Sequence, residues 1–223
     1  LPARPREVRR VVQDELAGFR AWAPLLRAPE EYLELCRSAA TTPLGTLADL
    51  RRGYTTNDNG FFYPPPEARI ESRYLAPLLK GPRDAPGLRL RADEMASRVF
   101  LCDLDRAQLE AAGARGALRW IRQHRRGQGK AGWKLRPQEP ARLFLVKGYH
   151  DRFRQPLADR PIQADQQIYL VHPKGGRDEV LLAALLNSSW CHLSLELTGR
   201  VNFGDGVLWV GLEDARASLM LPS

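Results

Sequence analysis

Apolar residues near the start of the chain recur at helical spacing. Four of them follow one another three or four positions apart, which places them on one helix face: Val8, Val12, Leu16 and Phe19. A second helix is predicted from Pro29 to about Ser38, because Pro, Glu and Glu in the first turn are typical of helix N-termini. These patterns predict a helical arm over residues 1–40, which either connects to another domain or packs on this one.

Residues 44–63, LGTLADLRRGYTTNDNGFFY, have a different pattern. Apolar positions flank a cluster of Gly, Thr, Asn and Asp, which predicts a strand, a tight turn and a second strand. Asn59-Gly60 supplies permissive backbone, and Phe61 and Phe62 are expected on opposite faces of the second strand. Tyr63-Pro64-Pro65-Pro66 then provides a stiff exit from this hairpin.

The rest of the chain mixes helices and strands without regular alternation. The predicted elements are a short helix within 71–84 ended by Gly81-Pro82, a buried strand over 97–104, a helix over 105–127, strands LFLVKGY and QQIYLVH within 141–173, a leucine-rich helix over 177–199 and a strand within 202–212. In the helix over 105–127, Asp105 is the expected N-cap, Gly127 the expected end, and Gly113 and Gly116 the expected division points. This order predicts an α+β fold with a mixed, largely antiparallel sheet, flanking helices and an N-terminal helical arm.

Charge favours a polyanionic partner. The 223 residues carry 34 Lys and Arg against 26 Asp and Glu, a formal net charge of +8 with a pI of about 9.8. Only five of the basic residues are lysines. Codon usage in a GC-rich genome explains the choice of arginine over lysine, but it does not explain the positive excess.

The apolar runs, the cysteines and the N-terminus indicate where the protein resides and whether the chain is part of a longer protein. No apolar run approaches the roughly 18 residues of a membrane span, and the N-terminus lacks the apolar core of a signal peptide. The three cysteines are far apart and odd in number, which is typical of reduced thiols in the cytoplasm. Because the chain begins without Met, we expect it to be a piece of a longer protein.

The strongest candidate for polyanion binding lies between Glu110 and Glu139, where no acidic residue occurs. Four arginines of the predicted helix share one face by their spacing of i, i+4, i+7 and i+11: Arg115, Arg119, Arg122 and Arg126. Such a face can neutralise DNA phosphates and release their counterions. The alternative is a solvated helix face whose charge is balanced by acids from elsewhere in the fold.

A second basic group occupies residues 147–160, KGYHDRFRQPLADR. Arginines interleaved with aromatic and hydrogen-bonding side chains can hold phosphates and reach base edges. A simple surface loop explains the same composition.

Catalytic motifs are missing from the sequence. It contains no dinucleotide-binding glycine motif, no phosphate-binding loop, no zinc-protease motif and no nucleophile elbow. Asp103 and Asp105 form a D-x-D pair that could bind a hard cation, although strand-end aspartates more often cap the next helix. Tyr149-His150-Asp151 could supply a base, but no nucleophile stands beside it.

Four sequence segments together resemble the target recognition domain of N6-adenine DNA methyltransferases, the TaqI-like specificity domain of restriction-modification enzymes. In chain order the segments are GYTTNDNGFF (53–62), RYLAPLLKGPRD (73–84), DQQIYLV (165–171) and LLAALLNSSWCHLSLELTGRVNFGDGVLWV (181–210). The second departs from the family pattern, because Pro82-Arg83 adds one residue before Asp84.

The resemblance implies a sequence-specific, double-stranded DNA-binding domain over 41–223, preceded by an arm (1–40) from a catalytic domain that this chain lacks. The family's Asn-Pro-Pro-Tyr/Phe motif is missing, since Tyr63-Pro64-Pro65-Pro66 has no asparagine. We therefore expect no catalysis, no metal and no cofactor in this chain. The resemblance places S-adenosylmethionine in an N-terminal methyltransferase domain of the same polypeptide, which flips the target adenine out of the duplex.

From the basic stretches and the resemblance we predict two groups of DNA-binding residues. Those expected to contact phosphates are Arg51, Arg52, Arg115, Arg119, Arg122, Arg126, Lys130 and Lys134; those expected at base edges are Asn57, Asn59, Arg152 and Arg154.

Two other functions remain open at this stage. The chain could be a small metal-dependent nuclease that uses Asp103, Asp105 and a lysine. It could also be a protein-interaction module whose assembly face is the apolar LLAALLNSSW segment (181–190).

Overall fold

A computed structural model describes residues 10–18, 22–38, 40–124, 132–149, 152–201 and 206–220. Its helices are α1 (Gln13–Gly18), α2 (Ala23–Arg27), α3 (Glu30–Arg37), α4 (Leu44–Leu47), α5 (Asn59–Phe62), α6 (Arg106–Ala111), α7 (Arg115–Gln123), α8 (Glu179–Leu186), α9 (Ser189–Thr198) and α10 (Leu212–Ala217). Its strands are β1 (Thr42–Pro43), β2 (Ala48–Arg52), β3 (Leu75–Leu79), β4 (Arg89–Leu90), β5 (Arg98–Phe100), β6 (Ala141–Val146), β7 (Gly148–Tyr149), β8 (Leu157–Ala164), β9 (Ile168–Pro173), β10 (Arg200–Val201), β11 (Leu208–Trp209) and β12 (Leu219–Met220).

The main sheet, as far as the structure describes it, has seven strands. Its path is β2-β9-β6-β8-β3-β5, and β4 also pairs with β8. Strands β3 and β4 run parallel to β8, whereas the other described pairs are antiparallel. Two small antiparallel sheets, β10-β11-β7 and β1-β12, lie outside this path. The predicted α+β fold with a mixed, largely antiparallel sheet and flanking helices is confirmed.

The centre of the sheet is formed by the two strands that the sequence predicted most clearly. Strand β6 pairs with β9 in a register that joins Leu143 to Val171 and Val146 to Ile168. These four residues are buried. Continuous apolar runs are expected for strands covered on both faces, and the buried side chains of α8, α9 and α10 join the same core.

The predicted hairpin over 44–63 is wrong. Only β2 forms, and it pairs with β9 instead of a second strand from this segment. After β2 the chain stays against the sheet, because Gly53 N donates to Ile168 O and Tyr54 N to Ala164 O. A Cβ at Gly53 would lie 2.3 Å from the carbonyl oxygen of Ala164, so this close approach requires glycine.

The expected second strand is the short helix α5. Asp58 caps it, since its Oδ1 accepts a 3.1 Å hydrogen bond from Phe61 N. Phe61 and Phe62 are both buried in one cluster with Trp120 of α7, so they do not lie on opposite faces of a strand. Burial of both rings favours a helical turn over an extended segment here.

The helical prediction within 71–84, one short turn or two, is correct only at the two ends of this segment. 3₁₀ turns cover Ser72–Tyr74 and Pro82–Asp84, but the LAPLL segment between them is β3. Strand pairing on both sides explains the difference, because Leu75 faces Phe100 of β5 and Leu79 faces Ala164 of β8. Strand β8 itself lies in the segment between the two predicted strands, where its prolines and charges indicated no strand.

The leucine-rich helix over 177–199 forms as two helices, α8 and α9, with a 60° bend between them. Asn187 holds the bend by accepting a hydrogen bond from Gln155 N and donating one to Gln155 O, both 2.9 Å. Ser188 then caps α9, because its Oγ accepts from Cys191 N. Within α8, Leu182 and Leu186 are buried, whereas Leu181 is 46% exposed.

Other predicted elements are confirmed. Strand β5 lies within 97–104, and the helix predicted over 105–127 is divided into α6 and α7 near Gly113, whose φ is +64°. Gly116, the other expected division point, lies inside α7 and does not interrupt it. Asp105 caps α6 through Gln108 N. The expected helix end at Gly127 lies outside the described residues.

The N-terminal helices pack on the C-terminal part of the fold. Leu25 of α2 and Leu33 of α3 share a buried cluster with Leu197 of α9. Tyr32 stacks on Trp190 with ring centroids 4.7 Å apart. The helix predicted from Pro29 to about Ser38 is confirmed as α3, whereas Val8 and Phe19 of the first predicted helix lie outside the described residues. The division of the chain at residue 40 stays a prediction.

Candidate nucleic-acid interface

Helix α7 presents three of the predicted phosphate-binding arginines on its solvent side. Arg115, Arg119 and Arg122 are exposed, whereas Ala117 and Trp120 on the opposite side are buried. The indole of Trp120 donates a 3.0 Å hydrogen bond to Phe61 O, which fixes the buried side of α7 against α5. The helical face predicted from the spacing is therefore formed, as far as the described residues extend.

These three arginines have no carboxylate within ion-pair distance in the described part of the chain. Exposed arginines elsewhere do, for example Arg106 with Glu110 at 2.9 Å and Arg37 with Glu30 at 3.1 Å. The sequence left open whether acids from elsewhere in the fold balance the basic helix. For Arg115, Arg119 and Arg122 no described carboxylate does so.

The start of α7 is held by an acidic residue from another segment. Glu71 accepts hydrogen bonds from the backbone N–H groups of Gly116 at 2.7 Å and Ala117 at 3.0 Å. Partial burial raises the pKa of Glu71, but these backbone donors outweigh it, and its pKa lies below the ordinary value. Its charge is thereby used at the helix N-terminus, where α7 has no side-chain cap of its own.

Beside α7 lies a shallow depression of about 530 Å³, lined by Arg69 and Arg119 together with Pro66 and Glu67. Arg69 is exposed and follows the 3₁₀ turn Pro66–Ala68 with a φ of +50°. It adds a basic residue to this surface that the sequence did not single out, because it lies far from the arginine-rich stretch.

The remaining predicted phosphate contacts are distributed differently. Lys134 is exposed, and the neighbouring Trp133 is anchored because its indole donates a hydrogen bond to Leu104 O. Arg126 and Lys130 lie outside the described residues. On β2, Arg52 is exposed, but Arg51 is engaged with Asp49 at 2.8 Å and Glu139 at 2.6 Å. The bond to Asp49 raises the pKa of Arg51 most, so its charge is already matched within the protein.

Two of the predicted base-edge residues are exposed near α5: Asn57 lies between β2 and α5, and Asn59 is the first residue of α5. Asn57 has a φ of +56°, in the left-handed region that asparagine tolerates, and Asn59 Oδ1 accepts a 2.5 Å hydrogen bond from Thr56 Oγ1. The neighbouring Thr55 donates to Gln166 Oε1 at 3.2 Å. This bond joins the segment to the turn between β8 and β9, at residues 165–167.

The other two predicted base-edge residues line a groove of about 700 Å³. We call it the Trp209 groove; its lining includes Arg83, Arg152, Arg154, Gln167, Gly148 and Trp209. Arg154 is held in place by donating to Pro86 O. Gln167 comes from the β8–β9 turn, so the groove begins next to the turn that contacts Thr55.

Three aspartates of the segments that carry these two sites have partners within the domain. Asp58 caps α5, and Asp84 accepts hydrogen bonds from the backbone of Lys80 and Gly81. Asp165 is buried and accepts a 2.6 Å hydrogen bond from the Tyr63 hydroxyl. Burial, the hydrogen bond to Asp165 and the charge of this carboxylate together raise the pKa of Tyr63, so Tyr63 remains a donor. These three carboxylates are therefore engaged within the domain.

The sites considered for catalysis have structural partners in the described residues. Asp105 caps α6, and no group of three or more His, Cys, Asp and Glu suited to a metal is found in the described part of the chain. The hydroxyl of Tyr149 accepts from Gln155 Nε2, while His150 and Asp151 lie outside the described residues. Cys36, Cys102 and Cys191 are free thiols whose pKa is raised by burial, to about 12 for Cys191.

Exposed apolar residues are present on α8, where Val180 is 60% exposed beside Leu181. Within the described ranges no single helix is long and apolar enough to cross a membrane, although α8 and α9, bent against each other, would meet the length and composition requirement together.

The sequence matches no protein-family model and no curated protein. Among solved structures, the chain is similar to part of the type IIG restriction endonuclease BpuSI, with a TM-score of 0.62 at 15% identity, over 97% of this chain and 28% of that one. It also aligns with the HsdS subunit from Thermoanaerobacter tengcongensis, with a TM-score of 0.40 at 14% identity, over 82% of this chain and 32% of that one.

The chain thus spans less than a third of either protein's length. The likeness to BpuSI extends over nearly the whole chain and concerns the fold. The TaqI-like family suggested by the sequence segments stays a prediction.

Proposed function

We propose that this chain is the target recognition domain of a restriction-modification enzyme and binds double-stranded DNA. The observation that carries the proposal is the exposed arginine face of α7, which has no described carboxylate to balance it. A phosphate backbone is the partner that matches a row of fixed guanidinium groups. The fold shared with part of a type IIG restriction endonuclease supports the same role.

In this proposal the two basic surfaces have different tasks. Arg115, Arg119 and Arg122 contact phosphates and set the position of the duplex, without reading its sequence. Asn57 and Asn59 on one side, and Arg152 and Arg154 on the other, contact base edges. Asparagine matches the adenine edge and arginine the guanine edge in the major groove, so these residues supply the specificity.

The wider proposal concerns the parent enzyme. We propose that it is an adenine-N6 DNA methyltransferase of the cytoplasm, in which a domain preceding this one binds S-adenosylmethionine and flips the target adenine. The four sequence segments that resemble the family support this reading. The recognition domain then holds the duplex while the catalytic domain acts. An Asn-Pro-Pro-Tyr or Asn-Pro-Pro-Phe motif in the parent, upstream of this chain, is the expected observation; a parent without it contradicts the methyltransferase assignment.

DNA binding itself is tested by titrating this chain with a fluorescent duplex at several salt concentrations. Each phosphate contact is expected to lower the logarithm of the association constant by about 0.9 per tenfold rise in salt. The three α7 arginines alone therefore predict a slope of about −2.7 or steeper. The absence of duplex binding at low salt, or binding that salt does not weaken, contradicts the proposal.

A further inference from the structure

The Trp209 groove differs from the α7 face in shape and chemistry. It is concave, with a volume of about 700 Å³, whereas α7 presents a convex row of arginines. Pockets of roughly 300–1,000 Å³ hold single small molecules, so a nucleotide fits here. Three arginines line the groove, and no acidic residue is among its described lining residues.

An aromatic ring is held in this groove in a defined position. Trp209 of β11 lies opposite Gly148 of β7, and a Cβ at Gly148 would stand 3.5 Å from the indole. Glycine therefore keeps open space that a longer side chain would fill beside the ring. The ammonium group of Lys147 lies 5.6 Å from the ring centroid, within cation–π range, and restrains the indole further.

The groove therefore combines a planar ring, cationic side chains and an amide. An indole stacks on the face of a nucleobase, Arg83 matches a phosphate, and Gln167 can both donate to and accept from a base edge. In a paired duplex the base faces are covered by their neighbours, and only their edges are open. A base whose face reaches Trp209 must have left the stack.

We propose that the Trp209 groove binds one unpaired nucleotide of the bound DNA, with its base stacked on Trp209 and its phosphate held by Arg83. This inference rests on the proposed function, since it requires that the domain binds DNA. It adds a second binding mode: α7 holds paired DNA, and the groove holds a nucleotide that has been displaced from the duplex. Of the residues that line this groove, the sequence predicted Arg152 and Arg154 as base-edge contacts, but it did not predict Trp209.

The test compares two duplexes of the same sequence, one fully paired and one with a single extra unpaired adenosine. Binding of the whole chain is measured by anisotropy. Tryptophan fluorescence is measured in a Trp22→Phe background, because Trp22 is 62% exposed and responds to solvent. The signal of Trp209 is the part of the fluorescence change that disappears in Trp209→Leu. The variants are Trp209→Leu, which removes the ring, and Trp209→Phe, which keeps a smaller one. Adenosine monophosphate is added as a competitor, to separate a free nucleotide from one carried by DNA.

The chain is expected to bind the bulged duplex about five- to hundredfold more tightly than the paired one, the range that base–aromatic stacking gives per base. Tryptophan fluorescence falls on binding the bulged duplex. Trp209→Leu removes the preference and leaves binding to the paired duplex unchanged, whereas Trp209→Phe retains part of the preference. Adenosine monophosphate does not displace the bulged duplex when it is added at the concentration at which the duplex itself saturates the chain.

Equal affinity of the unaltered chain for both duplexes overturns the inference while leaving the proposed function standing. The same holds if Trp209→Leu keeps the full preference, or if adenosine monophosphate displaces the bulged duplex at concentrations no higher than those at which the duplex itself saturates the chain. If the unaltered chain binds neither duplex, the proposed function itself is overturned. A Trp209→Leu chain that fails to fold is replaced by Gly148→Val, which fills the groove beside the intact indole and is expected to abolish the preference in the same way.

Discussion

Glu71 and Gly116 are joined by a 2.7 Å hydrogen bond from the backbone N–H of Gly116 to the carboxylate of Glu71. This contact ties the first turn of α7 to the segment that leads into β3. It connects the basic face of α7 to the body of the domain, because an unsatisfied helix N-terminus would fray and displace Arg115 and Arg119. Stability of this contact is therefore a condition for the proposed DNA-binding surface.

Replacing Glu71 with Gln should lower the free energy of unfolding at pH 7 by about 0.5–2 kcal/mol, as for loss of a helix cap. The pKa of Glu71 is depressed in the folded state, so its stabilisation is present above the unfolded pKa and is lost as pH falls through the lower folded pKa. Urea unfolding should therefore show a difference between the two proteins at pH 7 that narrows at pH 3. Glu67→Gln, an exposed neighbour, is the control and should change little. A difference that is constant with pH contradicts this role.

Gly116→Ala should destabilise the fold, although alanine in a helix is ordinarily favoured over glycine by about 1 kcal/mol. A Cβ at Gly116 would lie 2.3 Å from the carbonyl oxygen of Arg69, a backbone atom that cannot move aside cheaply. The expected loss is about 1–3 kcal/mol, typical of overpacking. Gly60→Ala in α5 is the matched control, because its Cβ would meet only Asp58 Oδ1 at an ordinary 3.5 Å. Thermal unfolding measures the stability of both variants. Equal stability of Gly116→Ala and Gly60→Ala would show that the backbone of Arg69 leaves room for a Cβ at position 116.

Asn187→Ala should loosen the bend between α8 and α9. Its side chain bonds to the backbone N–H and carbonyl of Gln155, which is fully buried and in turn holds Val146 N and the Tyr149 hydroxyl. Removing it leaves buried polar groups unsatisfied, at a cost of about 1–3 kcal/mol for each. Chemical denaturation measures the loss, and Gln123→Ala, at an exposed position of α7, is the control. Equal stability of the two variants would contradict the role of Asn187.

Arg152→Ala combined with Arg154→Ala should relax sequence specificity more than it weakens binding. Each bidentate contact to a base discriminates by about 1–3 kcal/mol, so one or two positions of the selected site should become degenerate. The measurement is selection of bound duplexes from a random pool, followed by sequencing. A uniform loss of affinity with an unchanged consensus would instead assign these arginines to phosphates.

The parts of this fold that the sequence predicts correctly are those governed by local patterns. Strands β6 and β9 follow from continuous apolar runs, and the cap at Asp105 and the break at Gly113 follow from residue chemistry. The arginine face of α7 also follows, since helical spacing alone sets which side chains share a face.

The parts predicted wrongly depend on distant contacts. The residues after Arg52 have the turn chemistry of a hairpin, but their polar and aromatic groups find partners at 164–168 and on α7 instead. Asp58 was the available indication of a helix start before Phe61 and Phe62. Likewise, LAPLL becomes a strand through its pairing with β5 and β8, which lie elsewhere in the chain.

The candidate site also has parts that local patterns predict and parts that depend on distant contacts. The Trp209 groove gathers residues from four separate segments, and no spacing in the sequence brings Arg83, Gln167 and Trp209 together. The ion pair between Arg51 and Glu139 could not be predicted from the sequence either, because the two residues lie 88 positions apart.

The most direct test of the account is the DNA affinity of the double variant Arg119→Glu, Arg122→Glu. Its control is Arg37→Glu, Arg106→Glu, which changes the net charge equally but at exposed arginines that are already ion-paired. We predict that the α7 variant binds every duplex at least about tenfold more weakly and that its salt slope is smaller by about 2, as expected for two lost phosphate contacts. The control should retain its affinity within about twofold and its slope, since surface ion pairs contribute little. Unchanged affinity and slope in the α7 variant, or an equal loss in both, would contradict the assignment of α7 as the DNA-binding face.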